Sequence, residues 1–243
     1  MTETRELLGL EDTLYFACHS SLSCFTTCCR DVNILLSPYD IIRMKNRLGL
    51  FSTEFLEEYT KTLIAPKTAL PAVQLKMNEQ NERRCYFVDT DGCAIYEDRP
   101  WSCRMYPIDR SEKGNNFRIV VDSSRCQGLK AQEGWKLADW LREQDLEPYD
   151  ASNELFAKVT EDQELTTWRI NHPQGCNIFH LACYDLDRFR EVMFRESLHE
   201  MISSPTIDLP TLRTDDLALL EFAFAWLKAV ASHSVEADNT EQS

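Results

Sequence analysis

The sequence predicts an α+β protein: small β-hairpins and irregular cysteine loops around a metal centre, packed by helices, with a mainly helical C-terminal half. Three observations lead there. Eight of the ten cysteines fall between Cys18 and Cys126. Short aromatic and β-branched runs in that stretch are bounded by turn residues. From residue 131 onward, apolar residues recur at helical spacing. The expected organisation is a cysteine-rich metal-binding domain over 1–130, a helical region over 131–231 and a disordered polar tail over 232–243.

Bulk properties narrow the classes. Apolar residues make up 43% of the chain, ordinary for a globular core, and glycine is scarce at seven residues. The net charge of −14, from 26 basic and 40 acidic side chains, repels phosphate backbones and argues against nucleic acid. The densest basic cluster, Arg83-Arg84, is too small for a footprint. No hydrophobic leader follows Met1, and no apolar run approaches the roughly 18 residues of a membrane span. The expected location is cytoplasmic, with no membrane partner. Thiols stay reduced there, so clustered cysteines point to metal or redox chemistry rather than disulfides.

The elements follow in order. A helical turn is expected around Leu7-Leu8 and Leu10. The loop from Cys18 to Cys29 is interleaved with Ser and Thr, which disfavours regular structure. Ser37-Pro38-Tyr39-Asp40 is a helix start with a cap, a proline at the first position and an acid in the first turn. Ile41, Ile42, Met44 and Leu48 continue it, and Gly49 stops it. A second helix starts at Ser52. Residues 65–84, with Pro66 and Pro71, read as irregular. Asp91-Gly92 predicts a hairpin bringing Cys85 toward Cys93. A second hairpin pairs Met105–Asp109 with Phe117–Val121 across Lys113-Gly114-Asn115-Asn116, and Cys126 follows in a loop ending at Gly128. Helices are expected over 134–143 and 152–160, an irregular stretch over 171–182, a long helix over 183–202, and a last helix capped by Thr214 and ending at Ala231.

The candidate metal ligands are Cys18, Cys24, Cys28, Cys29, Cys85, Cys93, Cys103 and Cys126. Thiolates are soft donors that suit zinc, copper(I) and iron–sulfur clusters. Structural zinc takes ligand pairs about two to four residues apart. Cys24 and Cys28 fit that spacing, Cys18 is set further off, and the adjacent pair Cys28-Cys29 fits one ion badly. Two metals, or a cluster whose irons lie apart, accommodate neighbours more easily. Eight thiolates allow two four-ligand sites, or one multinuclear site with spares. The thiolate count and the adjacent pair favour an iron–sulfur centre, 4Fe–4S first, with zinc or mononuclear iron as alternatives. Arg99 and Arg104 are candidates for neutralising such a centre. Tyr96 and Tyr106 read as shielding core.

Two stretches carry a resemblance: the N-terminal cluster ending in Cys28-Cys29, and Cys93-Ala94-Ile95-Tyr96-Glu97-Asp98-Arg99-Pro100 followed by Cys103-Arg104-Met105-Tyr106-Pro107. Together they resemble the YkgJ-type cysteine-cluster family, also described as a zinc- or iron-chelating domain, over roughly residues 16–128. The first cluster has wider gaps than the family's C-x-x-C-x-x-C-C form. The resemblance implies metal binding. Members are called iron–sulfur oxidoreductases or chelators, and a related domain occurs in flagellin lysine methylases.

Elsewhere, His172, Cys176, His180 and Cys183 form a ligand-like pattern, but Pro173 and Gly175 disfavour one helical face. They read as partly buried side chains in a helix connection. His19 is a further ligand candidate beside Cys18. No phosphate loop, nucleophile elbow or zincin motif is present. Three readings follow: a metal-binding module for storage, delivery, sensing or electron transfer; a cluster-dependent enzyme; or a structural zinc domain presenting helices to a protein partner.

Overall fold

The computed structural model describes residues 7–111, 116–202 and 208–241. The fold is α+β, with antiparallel sheets of two or three short strands and a helical C-terminal half. The chain forms two compact units, each made of two separate pieces. The first takes residues up to Ile34 and Lys76–Tyr149; the second takes Leu35–Leu75 and the chain from Asp150.

In the first unit, strands Leu7–Leu8, Phe117–Ile119 and Ile108–Arg110 lie side by side in that order. The predicted second hairpin is present over its middle, pairing Ile108 with Ile119 and Arg110 with Phe117. Its expected turn at Lys113-Gly114-Asn115 lies outside the described residues. Met105 ends a short helix, Trp101–Met105, instead of starting the strand. Leu7–Leu8 is an edge strand on Phe117–Arg118 rather than a helical turn. A turn at Gly9 stops any helix there: the Gly9 N–H donates to Asp12 Oδ2 at 2.7 Å. Trp135–Lys136 pairs with Thr13–Leu14, so the following helix begins at Leu137. Its first free N–H groups, those of Leu137 and Ala138, donate to the carbonyls of Asp12 and Leu10 at 2.9 and 3.0 Å. The core of this unit is small: Leu14, Phe16, Met105, Ile108, Phe117, Leu137, Trp140 and Leu146, with Cys126 among them.

The predicted hairpin at Asp91-Gly92 shrinks to a single bridge between Val88 and Cys93. Side-chain chemistry wins over strand pairing there. Asp89 Oδ1 accepts from the N–H groups of Asp91 and Gly92 at 2.8 and 3.1 Å, and the Asp89 N–H donates to the Gly92 carbonyl at 2.9 Å. Gly92 sits at φ 125°, which only glycine adopts readily.

In the second unit, Pro71–Leu75 is the centre of a three-stranded sheet between Leu35–Leu36 and Thr60–Ile64. The expectation of irregular chain around Pro71 therefore fails. A proline at the first position of a strand costs the ladder little. Helix Pro38–Leu48 forms as predicted, with a reciprocal cap: Asp40 N–H to Ser37 Oγ at 3.3 Å and Ser37 N–H to Asp40 Oδ2 at 2.8 Å. Gly49 closes it at φ 68°. Helix Ser52–Tyr59 follows.

Residues 171–182 are not irregular: helix Gly175–Cys183 fills most of them. Pro173 stays in the link before it, and Gly175 is required, because a Cβ there would lie 2.3 Å from the Arg169 carbonyl oxygen. The expected single helix over 183–202 is instead Leu186–Arg195, broken off at Tyr184-Asp185. The Asp185 carboxylate accepts from the hydroxyls of Ser52 and Thr53 at 2.7 and 2.8 Å, and Ser52 Oγ accepts the Asp187 N–H at 2.9 Å. These bonds start a new helix. The last helix runs Asp216–Glu241, past Ala231, and is capped by Asp215 rather than Thr214: Asp215 Oδ1 accepts from the N–H groups of Leu217 and Ala218. Among the described residues, no helix is long and apolar enough to cross a membrane.

Candidate metal centre

All eight candidate ligand cysteines lie in the first unit; Cys176 and Cys183 lie in the second. Three stretches of chain carry the eight. The first is a run of tight turns from His19 to Cys29, with Leu22, Phe25, Thr27 and Cys29 each donating backward to the carbonyl three residues earlier. It ends in a short 3-10 turn, Thr27–Cys29, entered through Thr26 at φ 62°. There the Cys28 and Cys29 sulfurs stand 3.9 Å apart.

The second stretch carries Cys85 and Cys93. Cys85 pairs with Met77 across a two-residue ladder, and Cys93 forms the bridge to Val88. Arg84 ties this stretch to the first: its Nη2 donates to Thr26 Oγ1 at 3.3 Å and to the Asp89 carbonyl at 2.8 Å, and its backbone bridges Arg30. The sequence reading gave Arg84 no such role, and its only signal was the neighbouring cysteine. Gly92 lets the loop close, since a Cβ there would touch the Phe25 ring at 3.2 Å.

The third stretch carries Cys103 and Cys126. Cys103 lies within helix Trp101–Met105. Cys126 is buried, and the Tyr106 hydroxyl bonds its sulfur. The next two residues tie it to the first stretch. The Gln127 N–H donates to Cys24 Sγ at 3.3 Å, and the Ala17 N–H donates to the Gly128 carbonyl at 3.1 Å. A Cβ on Gly128 would come within 2.6 Å of the Ala17 carbonyl oxygen. In a chain this poor in glycine, one placed just after a cysteine was the legible sign of that close approach.

The two arginines differ. Arg99 lies beside Cys93 and Cys103, close enough for its charge to act on both thiols. Its guanidinium stacks on Tyr96 at 3.8 Å and donates to the Tyr96 carbonyl and Gln144 Oε1. Burial lowers its pKa. Arg104 is buried and donates to the carbonyls of Arg99, Gln144 and Glu97, with its guanidinium 4.8 Å from the Tyr149 ring centre. It clamps the backbone that follows the Cys93 loop.

The thiols perturb one another. Burial, then the charges of Cys28, Cys126 and Cys24, pushes Cys18 up to about 11. Burial raises Cys85 and Cys93, against the opposing N–H groups of Phe87 and Ile95 on their sulfurs. The Cys28 and Cys29 sulfurs share a hydrogen bond. That lowers Cys28 to about 7 and raises Cys29, which burial and the charges of Cys28, Cys103 and Cys85 raise further. Each ionised sulfur thus opposes the next. A cation among them would offset that repulsion.

This donor set fits a thiophilic metal. It is all sulfur, partly desolvated, and already carries N–H···S bonds at Cys24, Cys85 and Cys93 of the kind that orient and tune thiolate ligands. Among the described residues, no three His, Cys, Asp or Glu donors stand close enough to hold an ion as they are. His19 points its Nδ1 to the Ser21 hydroxyl at 2.7 Å.

The pattern at His172, Cys176, His180 and Cys183 does not assemble. His172 lies just past the end of helix Gln163–Asn171, stacked on Trp168 at 5.2 Å. Cys176 donates to the Ala69 carbonyl, His180 bonds Thr62, and Cys183 is fully buried.

No curated protein and no solved structure matches the chain. A family model does, and it agrees with the cysteine signature: residues 17–133 match the CxxCxxCC family, described as a "putative zinc- or iron-chelating domain".

Proposed function

We propose that the first unit binds its metal through the eight thiols as an iron–sulfur centre and serves as a one-electron carrier. The observation that carries this reading is the composition of the donor set. Eight thiols share one small unit, and hydrogen-bond donors and a guanidinium stand among them. Such a cluster supplies one-electron chemistry at a potential set by its charge and by hydrogen bonds to sulfur.

The chain's own contribution would be to hold negative charge. The N–H groups of Gln127, Phe87 and Ile95 point at the sulfurs of Cys24, Cys85 and Cys93, and Arg99 sits beside Cys93 and Cys103. Tyr106 covers Cys126. A groove in the same unit is lined by Leu8, Leu14, Ile119, Val121 and Leu129 with only the hydroxyls of Thr13, Tyr15 and Ser123. The second reading is a zinc module, supported by the family description naming zinc beside iron.

Anaerobic purification with elemental analysis and an absorption spectrum on one sample tests this. Iron with matching acid-labile sulfide and a broad band around 400 nm is the expected result. Stoichiometric zinc without visible absorbance would replace it with the second reading.

A further inference from the structure

Arg84 differs from its two neighbours, Arg30 across the backbone bridge and Arg83 before it in the chain. Arg30 pairs with Glu82, and Arg83 with Asp31 and Glu79. Arg84 pairs with no carboxylate among the described residues. One of its nitrogens, Nη2, donates to both Thr26 Oγ1 and the Asp89 carbonyl. Thr26 enters the 3-10 turn that presents Cys28 and Cys29, and its carbonyl accepts the Cys29 N–H at 3.0 Å. Asp89 holds the turn that leads to Cys93. A single guanidinium thus spans two cysteine-bearing stretches.

The backbone around that contact is strained. Among the described residues, seven other than glycine have a positive φ. Four of them flank this seam: Thr26 at 62°, Asp31 at 50°, Glu82 at 48° and Arg83 at 56°. A branched side chain such as that of Thr26 fits this region worst, whereas glycine takes it without strain. The hydroxyl is what glycine could not supply, and it is the group that Arg84 holds. Strain fixed by its surroundings in this way points to a positioning role.

We propose that Arg84 is a positioning residue of the metal centre. Its two hydrogen bonds hold the Cys28–Cys29 turn against the loop that carries Cys93, so metal affinity depends on those bonds and not on the charge. Hydrogen bonds that orient ligands from outside the metal's own contacts change affinity by about 10- to 100-fold. The lower end applies here, because Arg84 bonds a hydroxyl and a carbonyl beside the cysteines rather than the sulfurs. The inference rests on the metal-binding reading but not on the choice of metal.

The test uses the full-length chain, reduced and stripped of metal under anaerobic conditions, titrated with cobalt(II) against a chelator of known affinity. Arg84→Met should weaken cobalt binding about 10-fold, while the thiolate–cobalt bands at saturation stay as in the native chain, because no ligand is lost. Arg84→Lys keeps the charge on a shorter stem without the planar fork, so it should weaken binding nearly as much. Thr26→Val should show a smaller part of the loss, and Thr26→Ser should restore it. That pair decides the matter if Arg84→Met fails to fold. Thr26→Gly relaxes the turn and should still bind cobalt more weakly. Native affinity in Arg84→Met overturns the proposal, and so does equal affinity in Thr26→Val and Thr26→Ser. Native affinity in Arg84→Lys alone overturns it in favour of charge. Altered bands at saturation in a folded variant overturn it too, since they report a lost ligand rather than a misplaced loop. No cobalt bound to the native chain overturns the metal-binding reading itself.

Discussion

The two units solve the problem of stability by opposite means. The second buries large side chains: Ile41, Met44, Phe55, Leu165, Phe179 and Phe189 are all fully enclosed. Phe156 packs between Phe179, Tyr184 and Phe224 with ring centres about 6 Å apart. The first unit has strands of two or three residues, a small core, and long loops whose polar thiols gain nothing from being gathered without a cation. One unit folds because it hides carbon from water. The other has a small core and thiol-bearing loops that a metal would help to order.

The largest effect that would break this contrast is metal removal. Chelation should abolish hydrogen-exchange protection across Phe16–Ile34 and Lys76–Cys126 and leave it in the helices from Gln163 onward. Structural metal sites contribute on the order of 10 kcal/mol to folding, more than this small core supplies. Simultaneous loss in both units would dissolve the distinction. Next comes Phe189→Ala, which should cost the second unit about 3–5 kcal/mol in denaturant unfolding while metal stoichiometry stays unchanged. A parallel loss of metal would show that the units depend on each other.

A buried ion network sharpens the contrast. Lys45, 4% exposed, meets Asp187 and Asp216 at 3.1 and 3.0 Å, and Arg190 meets the same two carboxylates. Lys45→Met should destabilise the second unit by about 3 kcal/mol, because it strands buried charge. Burial pushes Asp216 up, but Arg190, Lys45 and Asn46 prevail and hold it below its ordinary value of 3.8. Its contribution is therefore complete above 3.8 and is lost as the pH falls through the depressed folded value. Acid titration by circular dichroism should show helices persisting at pH 4 and failing below it, roughly, with Asp216→Asn removing part of that dependence. The smallest effect is Ser37→Ala, which loses a cap worth about 1 kcal/mol and should lower the thermal midpoint slightly without touching metal content.

What was legible in the sequence was local. Ser37, Pro38, Asp40 and Gly49 each act within one helix, so their signal survives without knowledge of the fold. Ile108–Arg110 and Phe117–Ile119 are close in sequence, so their pairing is a local signal. The Asp89–Gly92 loop misled, since its carboxylate caps a turn that the strand pattern alone assigns to a ladder. Pro71 misled for the opposite reason: sheet partners far along the chain decide that segment. The break at Asp185 was invisible because its cause, Ser52 and Thr53, lies at the other end of the unit. At the thiols, the residue types were plain and Gly128 left a local sign, but the role of Arg84 emerges only from its contacts with Thr26 and Asp89.

The excursion of Leu35–Leu75 away from the first unit leaves just after Cys29 and returns just before Cys85. Its neck is already drawn shut by the Arg30–Arg84 bridge and the Asp31–Arg83 ion pair at 2.5 Å. A metal ion gripping both Cys29 and Cys85 would act as a clasp on that loop. By the arithmetic of covalent cross-links, closing about 55 residues removes about 4 kcal/mol of chain entropy from the unfolded state. The benefit would fall on the inserted segment, through the length of chain it closes.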